Sequence, residues 1–270
     1  MRSTRPPVPS AQAVRRPGAL RAHGPVARRV ETPRDRREAR RPVWIFDLDD
    51  TLHHASRHTF PVIDAAMTRY MVHELALGEP LADELRQVYW RRYGATLLGL
   101  MRHHRVAPAH FLHHTHAMPG YEAAVRRAHR DARLLSRLPG LKVVFSNGPT
   151  RYAERVLRAL GMRQSFDAVF GIEHMRAFGH WRPKPDVRML RIWLARMGWP
   201  ASRCTLVEDS LANQRSARQL GLRTVWMQGH LAPGGSVAGK GRVKRHQKPA
   251  YVCARILSLR DLLKGSRLTG

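Results

Sequence analysis

Acidic side chains are scarce in this chain. Only 20 Asp and Glu stand against 48 Lys and Arg, for a formal charge of +28 over 270 residues. Cysteine is scarcer, with Cys204 and Cys253 alone and far apart. Two such residues make neither a metal-ligand spacing nor a disulfide framework, so a reducing, cytoplasmic location is expected. No apolar run approaches the roughly 20 residues that a membrane-spanning helix needs, and no internal repeat is evident. Neither a zinc finger nor an aromatic-basic RNA motif accompanies the charge, which leaves no sequence-legible nucleic-acid module. What remains is ordinary. Hydrophobic residues make up 43% and charged residues 25%, the balance of a globular chain of one or two domains that is long enough to bury a sizeable core.

The positive charge is unevenly spread. Residues 1–41 hold 12 Arg and three acids, and residues 229–270 hold nine Lys or Arg and one acid. More than half the excess therefore lies at the two ends, and such a balance permits non-specific attraction to nucleic acid or anionic lipid. A nucleic-acid-associated protein using its basic ends is thus the reading to set against an enzyme that handles phosphate esters. Residues 1–41 also contain Pro6, Pro7, Pro9, Pro17, Pro25 and Pro33 and show no hydrophobic periodicity. They cannot bury enough apolar surface to offset ordering entropy, so they are expected to be disordered. Residues 231–249, rich in Gly and Lys, read as a flexible loop.

Five short apolar runs read as buried strands: 43–46, 141–145, 168–170, 204–207 and 223–227. Helical patterns over 150–161, 184–197 and 210–220 lie between the later ones. Strands alternating with helices predict an α/β fold with a doubly wound parallel sheet. Residues 59–138 break the alternation with several helical patterns and no convincing strand, so they predict a helical insert after the first strand. The core is then 42–58 together with 139–270. Tyr251-Val252-Cys253 and the leucines after it are expected to pack back as a strand and a helix.

Ligands of open α/β sheets bind at the carboxyl ends of the strands, and the polar residues fall there. Asp47 and Asp49 follow the first strand, Ser146, Asn147 and Gly148 the second, and Glu208, Asp209 and Ser210 the fourth. Lys184 lies in a loop between prolines. Converging carboxylates repel unless a hard cation such as Mg²⁺ neutralises them. A phosphoryl group held there can be attacked in line by a carboxylate. A second carboxyl can protonate the leaving alkoxide and then activate water. Lys184, Ser146 and the amide of Asn147 can hold the equatorial phosphate oxygens. Each cluster alone has a plainer reading as a helix cap, a turn or a solvated lysine.

Together, and in order, the segments Asp47-Leu48-Asp49-Asp50-Thr51, Ser146-Asn147-Gly148, Lys184-Pro185 and Val207-Glu208-Asp209-Ser210 resemble the haloacid dehalogenase-like hydrolase superfamily. The resemblance covers about residues 42–228 and implies a helical cap over 59–138. It implies Asp47 as nucleophile and Asp49 as general acid/base, the second Asp marking phosphatases rather than dehalogenases. It also implies Mg²⁺ on the Asp47 carboxylate, the Asp49 backbone carbonyl and Asp209, with Glu208 in support and Thr51 orienting the phosphate region. Tyr93-Gly94-Ala95-Thr96-Leu97-Leu98-Gly99-Leu100 looks like the cap of the pyrimidine 5′-nucleotidase branch. That implies a nucleoside 5′-monophosphate as substrate, with Tyr93 and Thr96 as cap contacts. Met118-Pro119-Gly120-Tyr121 departs from the branch, where an acid is usual. Other small phosphate esters, such as a sugar phosphate or phosphoglycolate, are the alternative substrates. The dense histidines at 103–104 and 110–116 lack supporting carboxylates, and read as solvated or capping residues rather than zinc ligands. His53, His54 and His58 could line the entrance, but their spacing demands nothing.

Overall fold

The computed structural model describes residues 41–117, 120, 125–126, 128–230 and 248–264. Apart from Arg41 and residues 248–249, the expected disordered segment 1–41 and loop 231–249 lie outside the described residues, as do Met118, Pro119 and Tyr121.

Six strands form one parallel sheet: β1 (Val43–Phe46), β2 (Leu141–Phe145), β3 (Ala168–Phe170), β6 (Cys204–Glu208), β7 (Arg223–Met227) and β8 (Ala254–Ile256). Their order is β3-β2-β1-β6-β7-β8. The strand runs are almost wholly apolar because the sheet is covered on both faces. Side chains of β1 alternate between those faces.

 Trp44 and Phe46 pack on one side with Leu135, Val144, Val156, Leu160 and Leu262, while Val43 and Ile45 pack on the other with Phe145, Leu190, Trp193 and Ala217. The first face is covered by α6 (His129–Arg137), α7 (Thr150–Leu160) and α10 (Arg260–Lys264), the second by α8 (Val187–Met197) and α9 (Leu211–Gln219).

Between β1 and β2 lie α1 (Ala55–His58), α2 (Phe60–Leu75), α3 (Glu79–Tyr93), α4 (Thr96–His104) and α5 (Pro108–His116), ahead of α6. Proline in the first turn opens α2, α3 and α5, where its missing N–H costs nothing. Gly94, at φ 81°, ends α3 in the left-handed conformation and lets the chain turn directly into α4. Helices α2 to α5 share their own apolar cluster, with Tyr70, Met71, Tyr89, Leu97, Leu100 and Phe111 at its centre. Leu135 and Leu138 instead join the core beneath the sheet. The expected insert 59–138 therefore divides in its packing, with α6 on the sheet side.

The α3–α4 crossing is tight. A Cβ on Gly99 would lie 2.1 Å from Cγ and 2.4 Å from Cβ of Tyr89, atoms that cannot swing away without moving the helix. Gly99→Ala is expected to lower stability. Overpacking of about 1–3 kcal/mol outweighs the roughly 0.5–1 kcal/mol that alanine gains in helix propensity. Urea denaturation would show it as a lower midpoint at unchanged slope.

Two details differ from the expectations. The last strand begins at Ala254 rather than Tyr251, because Thr224 ties down the preceding residues: its Oγ1 donates to Tyr251 O (2.8 Å) and its carbonyl accepts from Cys253 N (3.0 Å). A two-stranded antiparallel hairpin, β4 (Arg176–Ala177) and β5 (His180–Trp181), precedes the Lys184 loop. Its strands are too short to show a period in the sequence.

Candidate active site

The site forms where the chain leaves the carboxyl ends of β1, β2 and β6. Asp47 N donates to Val207 O (2.9 Å), continuing the β1–β6 ladder by one residue. The chain then coils: Thr51 N and Leu52 N donate back to Leu48 O at 3.3 and 2.8 Å. Asp50 takes a left-handed conformation (φ 57°), and its Oδ1 accepts from Ser56 N (2.9 Å). Buried Leu48 and Leu52 anchor this coil in the core. Asp47 and Asp49 are thereby carried out on a fixed turn rather than a loose loop.

Lys184 is brought in from the loop between β5 and α8. Asn147, just past β2, grips the lysine backbone with both ends of its amide: Nδ2 donates to Lys184 O (3.0 Å) and Oδ1 accepts from Lys184 N (2.9 Å). Asp186 closes the loop as the cap of α8, its Oδ1 accepting from Met189 N (2.7 Å). Lys184 Nζ then donates to Asp47 Oδ1 and to Glu208 Oε2, each at 2.8 Å. The other Glu208 oxygen accepts from Ser210 N (3.1 Å). Gln214 Nε2 donates to Glu208 O (2.8 Å) and Val225 O (2.7 Å), and Trp226 Nε1 donates to Asp209 O (2.9 Å). These bonds fix the loop that carries both acids. Thr51 Oγ1 lies 3.5 Å from Asp209 Oδ1. Buried Ser146 stands at the end of β2, with its Oγ accepting from Gly148 N (2.9 Å).

The electrostatics are those of crowded buried acids. Burial pushes the Asp47 carboxyl well above its ordinary range; Glu208, Asp209 and Asp49 push the same way, and Lys184 opposes them. Burial works against the Lys184 charge, but Asp47 and Glu208 overcome it and raise the lysine pKa. Carboxylate oxygens of Asp47, Glu208 and Asp209 lie within 4.8 Å of one another, the one such grouping of three potential metal ligands among the described residues. Three carboxylates face one ammonium, which leaves two negative charges. A hard, oxygen-seeking divalent cation fits that donor set.

A family profile described as haloacid dehalogenase-like hydrolase matches residues 43–221. The chain belongs to that family. Over 195 residues this haloacid dehalogenase-like hydrolase is 22% identical to Phosphate metabolism protein 8 of Saccharomyces cerevisiae, covering 67% of this chain and 60% of the yeast protein. Over 82 residues it is 36% identical to Fructose-1-phosphate phosphatase YqaB of Escherichia coli, covering 30% of this chain and 41% of that protein. The matched regions thus span less than two thirds of either relative. Among solved structures, a HAD phosphatase from Thermococcus onnurineus superposes with a TM-score of 0.54 at 17% identity, over 83% of this chain and 96% of that one. CbbY from Rhodobacter sphaeroides in complex with phosphate gives 0.54 at 18% identity, over 82% and 96%. At such identities these two likenesses speak for the fold.

The residues singled out in the sequence take different places in this hydrolase. Asp47, Lys184, Glu208, Asp209 and Thr51 converge as described. The side chain of Asn147 holds Lys184. Thr96 is buried, its hydroxyl donating to Arg86 O (2.9 Å). Tyr93 lines a groove of about 470 Å³ with Trp181, Arg182 and Pro185, beside the Lys184 loop. Histidines of α4 and α5 pair with tyrosine hydroxyls: His103 with Tyr93 (2.7 Å), His104 with Tyr89 (2.9 Å) and His110 with Tyr70 (2.9 Å).

Three neighbours of Asp49 were not legible as such. Tyr152 OH donates to Asp49 Oδ1 (2.6 Å), and His53 Nε2 lies 3.1 Å from the same oxygen. The His116 ring meets the Tyr152 ring edge-on at 5.6 Å. Burial pulls the His116 pKa down to about 4 against the attraction of Asp49.

Proposed function

We propose that this hydrolase cleaves phosphate monoesters through an aspartyl-phosphate formed on Asp47. The observation that carries the reading is Lys184, buried and 2.8 Å from both Asp47 and Glu208, beside a third carboxylate that completes a cation site. The name of the Escherichia coli relative, a phosphatase, supports it. Mg²⁺ bound by Asp47, Asp209 and the Asp49 carbonyl, with Glu208 in support, would supply positive charge for the phosphoryl oxygens.

The chain's own groups do the rest. Asp47 attacks phosphorus in line as the ester P–O bond breaks, and the Asp49 carboxyl gives its proton to the leaving oxygen. Asp49, now a carboxylate, takes a proton from water as that water attacks phosphorus. The Asp47–phosphate bond breaks and inorganic phosphate leaves. Lys184, Ser146 and the backbone amide of Asn147 hold the equatorial oxygens, where transition-state charge spreads. Thr51 orients the same region. Helices α2 to α5 serve as the cap over 59–138 and read the leaving group.

The substrate we favour is a pyrimidine nucleoside 5′-monophosphate, on the likeness of residues 93–100 to that branch. Tyr93, at the groove beside the Lys184 loop, is the cap contact. The 36% identity to a fructose-1-phosphate phosphatase favours a sugar phosphate as the second reading. The two free thiols, Cys204 and Cys253, suit a reducing cytoplasm. Phosphate release from UMP, CMP, fructose 1-phosphate and phosphoglycolate, each with Mg²⁺ and with EDTA, tests the proposal. Mg²⁺-dependent release led by UMP and CMP is expected. Release led by fructose 1-phosphate would replace the nucleotidase reading, and no release from any ester with Mg²⁺ would end the phosphatase one.

A further inference from the structure

Among the described residues, the Asp49 carboxyl is held at one oxygen only. Both hydrogen bonds to the Asp49 carboxyl reach Oδ1, from Tyr152 OH at 2.6 Å and His53 Nε2 at 3.1 Å. Among the described residues none reaches Oδ2. Tyr152 is buried in the first turn of α7 and cannot readily swing aside. Its ring lies so close to Gly148 that a Cβ there would sit 2.8 Å from Cδ1. Its hydroxyl also meets Thr59 Oγ1 at 3.1 Å, and His116 of α5 abuts its ring. His53 is 5% exposed, and its Nδ1 is buried without a partner. An N–H on the buried, partnerless Nδ1 would go unsatisfied, so the geometry favours an Nε2–H that donates to Asp49 Oδ1.

We propose that Tyr152 and His53 are positioning residues that pin Asp49 Oδ1 and so assign the transferred proton to Oδ2. This rests on the phosphatase reading above. In the first step Oδ2–H protonates the leaving alkoxide as the P–O bond breaks and the Asp47–phosphorus bond forms. In the second, Oδ2 accepts a proton from the attacking water as the Asp47–phosphorus bond breaks. With Oδ1 held by two donors, the carboxyl cannot rotate to present the wrong oxygen. The link from His116 through Tyr152 also ties the helical segment to the acid.

Leaving groups separate such a role from a merely structural one. An alkoxide needs the proton in the transition state, whereas p-nitrophenolate leaves almost without it. The measurement is kcat/KM, which reports steps through leaving-group departure, for an alkyl phosphate and for p-nitrophenyl phosphate. Tyr152→Phe is expected to lower kcat/KM about tenfold on the alkyl ester, part of the 10²–10⁴ that general acid catalysis contributes. On p-nitrophenyl phosphate the change should stay within about twofold. His53→Ala should show the same split, and His53→Gln, which keeps an N–H near the Nε2 position, should restore the alkyl rate. Equal losses on both esters, or no loss on either, would overturn the assignment. The His53 pair decides the matter by itself if Tyr152→Phe does not fold. Failure of the phosphatase reading is distinguishable, because the unmodified protein would then release phosphate from neither ester.

Discussion

Asp47→Asn is expected to lower turnover by roughly three orders of magnitude or more while raising the thermal stability of the metal-free protein. The amide keeps the shape of the side chain and removes the charge proposed to attack phosphorus. The stability half follows from the raised Asp47 pKa, which burial and the carboxylates of Glu208, Asp209 and Asp49 produce together. A carboxyl whose folded pKa lies above its unfolded value contributes stability below the unfolded value and loses it as pH rises. At neutral pH the ionised Asp47 is therefore a strain on the fold, and a neutral amide relieves it. Melting curves in EDTA should show Tm rise by a few degrees for Asp47→Asn. Turnover near the unmodified rate would sink Asp47 as nucleophile. A lower Tm in EDTA would show that its bond to Lys184 outweighs the crowding of the acids. Stability surrendered at a reactive group in this way is a common feature of catalytic sites.

Much of this arrangement could be read along the chain because it is local. The strand runs at 43–46, 141–145, 168–170 and 223–227 match the observed strands, and the parallel sheet places their polar sequels on one edge. Asp47, Ser146, Glu208 and Asp209 each directly follow or end a strand, so reading the strand also places the residue. What was hidden depends on contacts between distant segments. Tyr152 stands 103 residues from Asp49 and looks like any apolar residue on the face of α7. His53 is near in sequence, but it faces Asp49 only because Asp50 turns left-handed between them. The side chain of Asn147 clamps a backbone 37 residues away, a contact that no local pattern shows. The packing of α6 was obscured for a similar reason. Its helical pattern resembles that of α2 to α5, and only Leu135 and Leu138 reaching the core beneath the sheet assign it there.

Lys184→Met should destabilise the metal-free protein by about 3–5 kcal/mol, the usual consequence of leaving buried charge uncompensated. The lysine is 6% exposed and donates to Asp47 and Glu208, each at 2.8 Å. Methionine fills much of the same volume, so the loss reports charge rather than a cavity. Two conditions should shrink it. A lower pH helps because Asp47 already titrates well above the ordinary carboxylate range and becomes neutral early. Mg²⁺ helps because a cation among Asp47, Glu208 and Asp209 takes over part of the neutralisation. Lysine titration does not enter below strongly alkaline pH. Asp47 and Glu208 raise its pKa, so its contribution is complete below the unfolded value and is lost only above it. Urea denaturation of both proteins at pH 5 and pH 8, with EDTA and with Mg²⁺, gives the four comparisons. The largest gap is expected at pH 8 in EDTA and the smallest at pH 5 with Mg²⁺. Equal stability in all four would mean that the acids around Lys184 are not ionised in the folded protein, and the divalent-cation site would lose its electrostatic basis.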